Sequence, residues 1–471
     1  MTATRRFWAR LAWVDGRWER DVQLAVDADG NWCEVEPATA PAPEAEVLAG
    51  PVLPGLVDAH SHAFQRAFAG LAERRATARD DFWSWRDRMY RAANAVTPAT
   101  LRAIAAQLQL ELLAGGYTQV CEFHYLQHEK DGTPYDDPLA LSMAVADAAA
   151  ATGIGLTLLP VLYERAGFSA PRLRDDQLRF HASAEDVWLQ CREFRRRVRA
   201  MPPDARARFD AGIAIHSVRA ASAEGIRTLR RLADGFDGPI HIHVSEQRAE
   251  VEACIAETGL PPIAWLAQAG LDARWQLVHA THATPAEIAQ AARAGAGVVL
   301  CPSTEGNLGD GLVDLPAWLE AGMRPALGSD SQVTRCWREE LRWLEYGQRL
   351  ALQRRNIAAA PHAAQRPEPA TAARLFEAAL QGGARAAGRS NWGLRVGARA
   401  DLLVADAMDP ALLGLPAERT LDALVFSSPS RPWRDVLVAG HWTLRAGRHP
   451  AAAEIAAEFS NAMGALWGED G

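Results

Sequence analysis

No run of about 18 consecutive apolar residues occurs in the 471-residue sequence, so nothing in it reads as a membrane-spanning helix. The opening segment, MTATRRFWARLAWVDG, carries charges and lacks an uninterrupted apolar stretch, so no signal peptide is expected. Cysteine is sparse. Cys33, Cys121, Cys191, Cys254, Cys301 and Cys336 are scattered, and none forms a CxxC pair. That distribution argues against a disulfide framework and for free thiols in a reducing, cytoplasmic setting. A basic excess is also missing: the net charge is −8 and the pI about 5.9. Nucleic acid is therefore not expected as the main partner. A small anionic substrate remains compatible, because a few buried arginines can bind one inside an acidic protein.

Hydrophobic residues make up 49% of the chain and charged residues 23%, which is ordinary globular chemistry. The length suits a barrel of about 250 residues or more plus a smaller satellite domain. Short strands are expected at residues 7–14, 22–26 and 32–35, separated by the turn-forming DGRWERD and DADGN. A Pro/Ala/Glu-rich connector, EPATAPAPEAE, follows. ADLLVADAM and DVLVAGHWTLRAGR near the other end again read as strands. A small β-sandwich domain built from residues 1–50 and 395–450 accounts for this pairing, with a helical tail over 451–471.

Between these ends, across 51–394, apolar β-rich runs alternate with amphipathic helical stretches such as PATLRAIAAQLQLELLAGG and SAEGIRTLRRLADGF. Eight strands are expected: VLPGLVDAH, YTQVCEF, GLTLLPVLY, FDAGIAIHS, PIHIHVSE, WQLVHAT, AGVVLCPS and RPALGSD. Near-continuous apolar strands followed by helices imply parallel strands buried on both faces. Eight such units imply an α/β fold of the closed (β/α)₈ TIM-barrel type. Polar residues gather at the C-terminal ends of these strands: His60 and His62, Glu122 and His124, His216, His243 and Glu246, His279, Ser303, and Asp330. A barrel of this type places its active site at that rim.

His60 and His62, in DAHSH, are two apart in a strand and so point to one face. HIHVSE offers His243, with Glu246 three positions on; His241 shares the face of His243, and spacing alone does not separate them. The last strand ends in GSD, with Asp330. Three histidines and a carboxylate suit Zn²⁺, with a position left for water. Each residue taken singly is better read as a core or surface group with satisfied hydrogen bonds. That reading fails for the set, since every member falls at a strand C-terminus.

PGLVDAHSH, the later HxxE, VHATH and the terminal GSD resemble the amidohydrolase superfamily, and ADLLVAD is similar to its returning β-domain. The resemblance covers nearly the whole chain. It implies metal ligands at His60, His62, His243 and Asp330, and so prefers His243 to His241. Members with two metals carry a carboxylated lysine at the end of strand four. Here AIHSV places His216 there, so one metal is expected, and the deaminase branch fits best. Zn²⁺ lowers the pKa of water to about 7, and Fe²⁺ or Mn²⁺ suit the same ligands. In that setting Asp330 accepts the water's proton, His279 polarises or orients the nucleophile, and Glu246 shuttles a proton to the leaving nitrogen. His282 is a rival to His279.

Arginines beside such a site suggest a carboxylate-bearing substrate, because guanidinium matches carboxylate in bidentate geometry. The alternative for DDFWSWRDRMYR is an amphipathic helix with solvated arginines. HSVRA, STEGNLGDG and LRWLEYGQRL are not general superfamily motifs. Together they resemble the iminohydrolases of this branch. That implies a linear N-formimidoyl substrate with two carboxylates and one amidine-like carbon, deaminated to the N-formyl product and ammonia. It also implies Gln65, Tyr125 and His216 lining the pocket, Arg86 and Arg219 holding carboxylates, and a homodimer. Arg88 competes with Arg86 for its role. Small residues differ from the family pattern at Ser245, Ser303 and Gly306. Competing expectations are a nucleobase-like or triazine amine as substrate, release of formamide rather than ammonia, and a catalytically silent metal-binding barrel.

Overall fold

The computed structural model describes residues 5–74, 81–360, 370–429 and 432–468. The ends of the two terminal segments, 1–4 and 469–471, and residue 80 at the start of DDFWSWRDRMYR lie outside the described residues. Eight parallel strands close into a barrel: β1 (Leu56–Ser61), β2 (Tyr117–His124), β3 (Gly155–Leu162), β4 (Ile213–Ser217), β5 (Ile240–Val244), β6 (Trp275–His279), β7 (Gly297–Leu300) and β8 (Ala326–Leu327). Each pairs with its successor, and β8 closes on β1 through Leu327 and Asp58. All residues of β2 and β3 are buried, as expected of strands covered by helices on one face and filling the barrel on the other. The run at 209–217 is interrupted at Gly212: Phe209–Ala211 pairs with the start of β3, and β4 follows.

Helix boundaries follow local chemistry. Pro98–Ala114 begins with a Thr97–Thr100 capping box and a proline in its first turn. Pro285–Ala294 repeats the device with Thr284 and Glu287. Ser222 and Thr284 cap the helices that follow β4 and β6, their side chains accepting from the Gly225 and Glu287 amides.

The chain ends form a second, eight-stranded sheet. Its strands are Arg5–Val14, Arg17–Val26, Trp32–Glu36, Glu46–Val47, Val52–Leu53, Leu402–Ala405, Trp433–Val438 and His441–Leu444. Val52–Leu53 joins the halves: it runs parallel to the first strand and antiparallel to Leu402–Ala405. The apolar run at 52–60 therefore serves two sheets, split at Pro54–Gly55. Gly55 is needed at that junction, since a Cβ there would stand 2.3 Å from the Thr118 side chain. The sheet has its own apolar core around Phe7, Val22, Trp32, Leu402 and Leu437. A final helix, Ala452–Trp467, packs on Pro98–Ala114. Arg102 pairs with Glu458 at 2.8 Å, and the Trp467 indole donates to the Ala67 carbonyl at 3.0 Å. Among the described residues no helix is long and apolar enough to cross a membrane.

Candidate active site

The C-terminal rim of the barrel brings His60, His62, His243, His279 and Asp330 together, all buried. His60 lies in β1 and His62 directly follows it. His243 is in β5 and His279 ends β6. Asp330 is three residues past β8, bridged to Ser61. The Asp330 amide donates to the His60 carbonyl at 2.9 Å. One residue earlier, Ser329 donates to the buried Asp58 through its amide at 2.8 Å and its hydroxyl at 2.6 Å. The β8 end is thus pinned to β1. His279 (φ +68°) and Asp330 (φ +48°) both sit in the left-handed region, a cost that residues at functional sites commonly bear.

Asp330 Oδ1 is 3.4 Å from both His60 Nε2 and His62 Nε2, and the Nε2 atoms of His60 and His243 are 3.0 Å apart. The ligand atoms of His60, His243 and His279 lie within 4.8 Å of one another, as do those of His60, His62 and Asp330. Tetrahedral ligands at 2.0–2.1 Å from an ion stand about 3.3 Å apart, so this spacing fits a metal ion. His62 Nδ1 donates to the Phe123 carbonyl and His243 Nδ1 to the His216 carbonyl, each at 2.9 Å. Those bonds put the protons on Nδ1 and leave the Nε2 lone pairs facing the cluster.

Electrostatics agrees. Burial pushes His60 down to about 3, with Asp330 opposing only in part. Burial also lowers His62 and takes His243 well below its ordinary value, so the imidazoles are neutral and able to ligate. Burial pushes the Asp330 carboxyl up, but the hydrogen bond and charge of His60, with His279 and His62, hold it below the usual carboxylate range. His241 is elsewhere: it is buried and engaged with the Ala386 carbonyl at 2.8 Å. The chain's single lysine, Lys130, lies in an exposed turn, so no lysine stands at the cluster.

On one side of the cluster, His279 Nε2 is 3.8 Å from Glu246 Oε1 and 3.7 Å from Asp330 Oδ2. Behind it, His279 Nδ1 is 3.5 Å from Glu305 Oε1. Burial lowers His279, yet Glu246, Glu305 and Asp330 outweigh it and raise the imidazole to about 10; a bound cation opposes that rise. Burial raises Glu246 to about 7, against the pull of His279. His282 is half-buried further along the loop, beside Gly311. Glu305 belongs to STEGN, a segment whose pattern was legible while the role of its carboxylate was not. Asp310, which accepts from Gln247, was also missed; burial and then Glu246 push it up to about 9.

On the other side are the pocket residues. Gln65 Nε2 donates to the Tyr125 hydroxyl at 3.3 Å. The Tyr125 ring is 5.0 Å from His62 and 5.7 Å from His216, and His216 is 5.1 Å from His243. Tyr163, at the end of β3, is 4.5 Å from His216 and was not singled out from sequence. The guanidiniums of Arg86 and Arg219 lie over the Trp83 ring at 4.7 and 5.7 Å. Buried nitrogens of both, Arg86 Nε and Arg219 Nε and Nη1, have no hydrogen-bond acceptor. Arg88 is committed to the Ala72 and Arg74 carbonyls at 2.9 and 3.2 Å. The unusual Ser303 donates to buried Glu340 at 2.5 Å, tying the β7 loop to the helix Trp337–Leu352.

The barrel, the returning sheet and the histidine–aspartate cluster define a member of the amidohydrolase family, whose sequence profile matches residues 52–443: the chain belongs to that family. It is 45% identical over 460 residues, 97% of this chain and 98% of the relative, to a formimidoylglutamate deiminase of Pseudomonas aeruginosa. A 5-methylthioadenosine/S-adenosylhomocysteine deaminase of Halobacterium salinarum is 28% identical over 84% of this chain and 81% of its own. Among solved structures, an amidohydrolase from Brucella melitensis superposes with a TM-score of 0.91 at 37% identity, covering 98% of this chain and all of that one.

Proposed function

We propose that the protein hydrolyses N-formimidoyl-L-glutamate to N-formyl-L-glutamate and ammonia, a step of histidine breakdown. The observation that carries this reading is a pair of half-buried arginines beside the metal-ligand cluster, in which Arg86 Nε and Arg219 Nε and Nη1 are buried without a hydrogen-bond acceptor. End-to-end similarity to a formimidoylglutamate deiminase supports it. A neutral nucleobase or triazine amine brings no carboxylate to offset two guanidinium charges.

Zinc is the ion we assign, held by His60, His62, His243 and Asp330; such an ion supplies Lewis-acid polarisation of water at neutral pH. The chain does the rest. Arg86 and Arg219 bind the two carboxylates as charge-assisted pairs. Gln65, Tyr125 and His216 line the space around the formimidoyl group and exclude bulk water. Asp330 Oδ2, next to His279 Nε2, accepts the proton of the attacking water. His279 orients that water and stabilises negative charge. Glu246, starting as the carboxylate, takes up the second proton of that water and passes it to the departing nitrogen, which also receives the proton held by Asp330; the task suits a carboxyl that burial raises to about 7.

We further assign a homodimer, supported by the apolar surface of the helix Trp337–Leu352, where Trp343 is 58% and Leu350 81% exposed. A light-scattering mass near the 51.1 kDa of one chain, rather than twice it, overturns that assignment.

Product analysis tests the reaction. With zinc-loaded protein, ammonia and N-formyl-L-glutamate are expected, and neither after chelation. Formamide and glutamate overturn the bond assignment. No turnover overturns the substrate.

A further inference from the structure

Trp83 stands in the first turn of the helix Phe82–Ala95, where Asp81 accepts hydrogen bonds from the amides of Trp83 and Ser84 at 3.0 and 3.1 Å. Its backbone is therefore fixed. Arg86 is three residues on, on the same helical face, and its guanidinium lies 4.7 Å from the Trp83 ring and 5.5 Å from that of Tyr90. Arg219 arrives from a different part of the fold, the segment after β4, and lies 5.7 Å from the same indole. Two like charges on one ring repel each other. An indole face attracts each of them and so offsets that repulsion without consuming a hydrogen-bond donor.

The surroundings sharpen the point. Among the described residues, Arg86 pairs with the exposed Asp87, at 3.7 Å and shared with Arg174. No ion pair to Arg219 is present among the described residues, and its Nε and Nη1 have no acceptor. Tyr90 is fixed from behind: its hydroxyl is 3.2 Å from that of Tyr163, and Gln177 donates to both, at 3.3 and 3.0 Å. The aromatic bed under the arginines is thus anchored, while Arg86 Nε and Arg219 Nε and Nη1 keep no acceptor.

We propose that Trp83 is a positioning residue for dicarboxylate recognition: its indole holds Arg86 and Arg219 as one two-pronged anion receptor, joining the helix to the barrel rim. The inference rests on the reading of the site given above. Trp83 touches no reacting atom, so its effect falls on binding. An acidic side chain in its place would have satisfied the arginines and closed the receptor; an aliphatic one would leave them to repel.

Calorimetry of the zinc-loaded protein with N-formyl-L-glutamate and with glutarate tests this, alongside steady-state kinetics on N-formimidoyl-L-glutamate. Trp83→Leu keeps an apolar side chain and removes the ring; about a tenfold rise in Kd for both anions is expected. In the kinetics, the rise in KM should exceed the fall in kcat. Trp83→Phe should recover affinity to within about threefold of wild type. In an Arg86→Ala/Arg219→Ala background, Trp83→Leu should add no further loss, because the interaction is shared. Wild-type protein that binds neither anion overturns the reading of the site and this inference with it. Wild-type binding matched by Trp83→Leu, or an equal loss in the arginine-free background, overturns the inference alone.

Discussion

Glu246 and His279 face each other across 3.8 Å beside the ligand cluster, and their roles separate in experiment. Glu246→Gln should lower kcat by about 10²–10⁴-fold while leaving zinc content unchanged, since the residue moves a proton and ligates nothing. Stopped assays with metal analysis check this. The sign of the pH dependence follows from burial, which raises Glu246 from the ordinary 4.5 to about 7. A carboxylate is the form that can take up the proton it later hands on. Activity is therefore lost as pH falls from about 7, and the acid limb of kcat/KM should lie above the ordinary glutamate value. A limb near 4.5 counts against Glu246 as the shuttle. Arg219→Ala should raise KM roughly 10–100-fold, the range for losing a hydrogen bond to a charged group. Arg88→Ala should leave KM near wild type, because Arg88 holds the Ala72 and Arg74 carbonyls instead.

At the level of elements, the site depends on three links. Asp58 and Ser329 stitch β8 to β1 immediately beside the ligands. Pro54–Gly55 hands the chain from the outer sheet into the barrel. Gly55→Ala should destabilise the protein by about 1–3 kcal/mol through overpacking against Thr118. Thermal or denaturant unfolding reads this; a change within error would mean that Thr118 yields freely. Glu340, buried and bonded to Ser303, makes a third link, from the helix Trp337–Leu352 to the loop that carries Glu305. Through Glu305 that loop reaches the far nitrogen of His279.

For the whole molecule, the metal is expected to act as a structural clamp as well as a chemical one. Its four assigned ligands come from β1, β5 and the segment after β8, so one ion ties together strands far apart in sequence. Chelation should abolish turnover and lower Tm, and added Zn²⁺ should restore both, because an ion that binds only the folded state stabilises it by mass action. An unchanged Tm with activity lost would confine the ion to chemistry.

The alternation of buried strands and helices, and the polar residues at each strand end, were legible in the sequence because both are local. A strand buried on two faces needs an unbroken apolar run, and a barrel rim receives whatever follows that run. His60, His62, Glu246, His279 and Asp330 could be found this way. The split of 52–60 between two sheets was not read, although Pro54–Gly55 marks the break in sequence; that Val52–Leu53 joins the other sheet depends on pairing with strands at both chain ends. Nor could spacing separate His241 from His243. Both lie on one strand face, and only tertiary structure gives one to the Ala386 carbonyl and the other to the cluster. Arg86 and Arg88 stand on different sides of one helix; the i,i+3 spacing puts Arg86 beside Trp83, but only packing brings Arg219 to the same ring and sends Arg88 to loop carbonyls. Glu305 and Tyr163, and Trp83 through Arg219, acquire partners from other parts of the chain. Sequence determined what each segment is; the closing of the barrel decided which side chains meet, because that depends on distances no local pattern encodes.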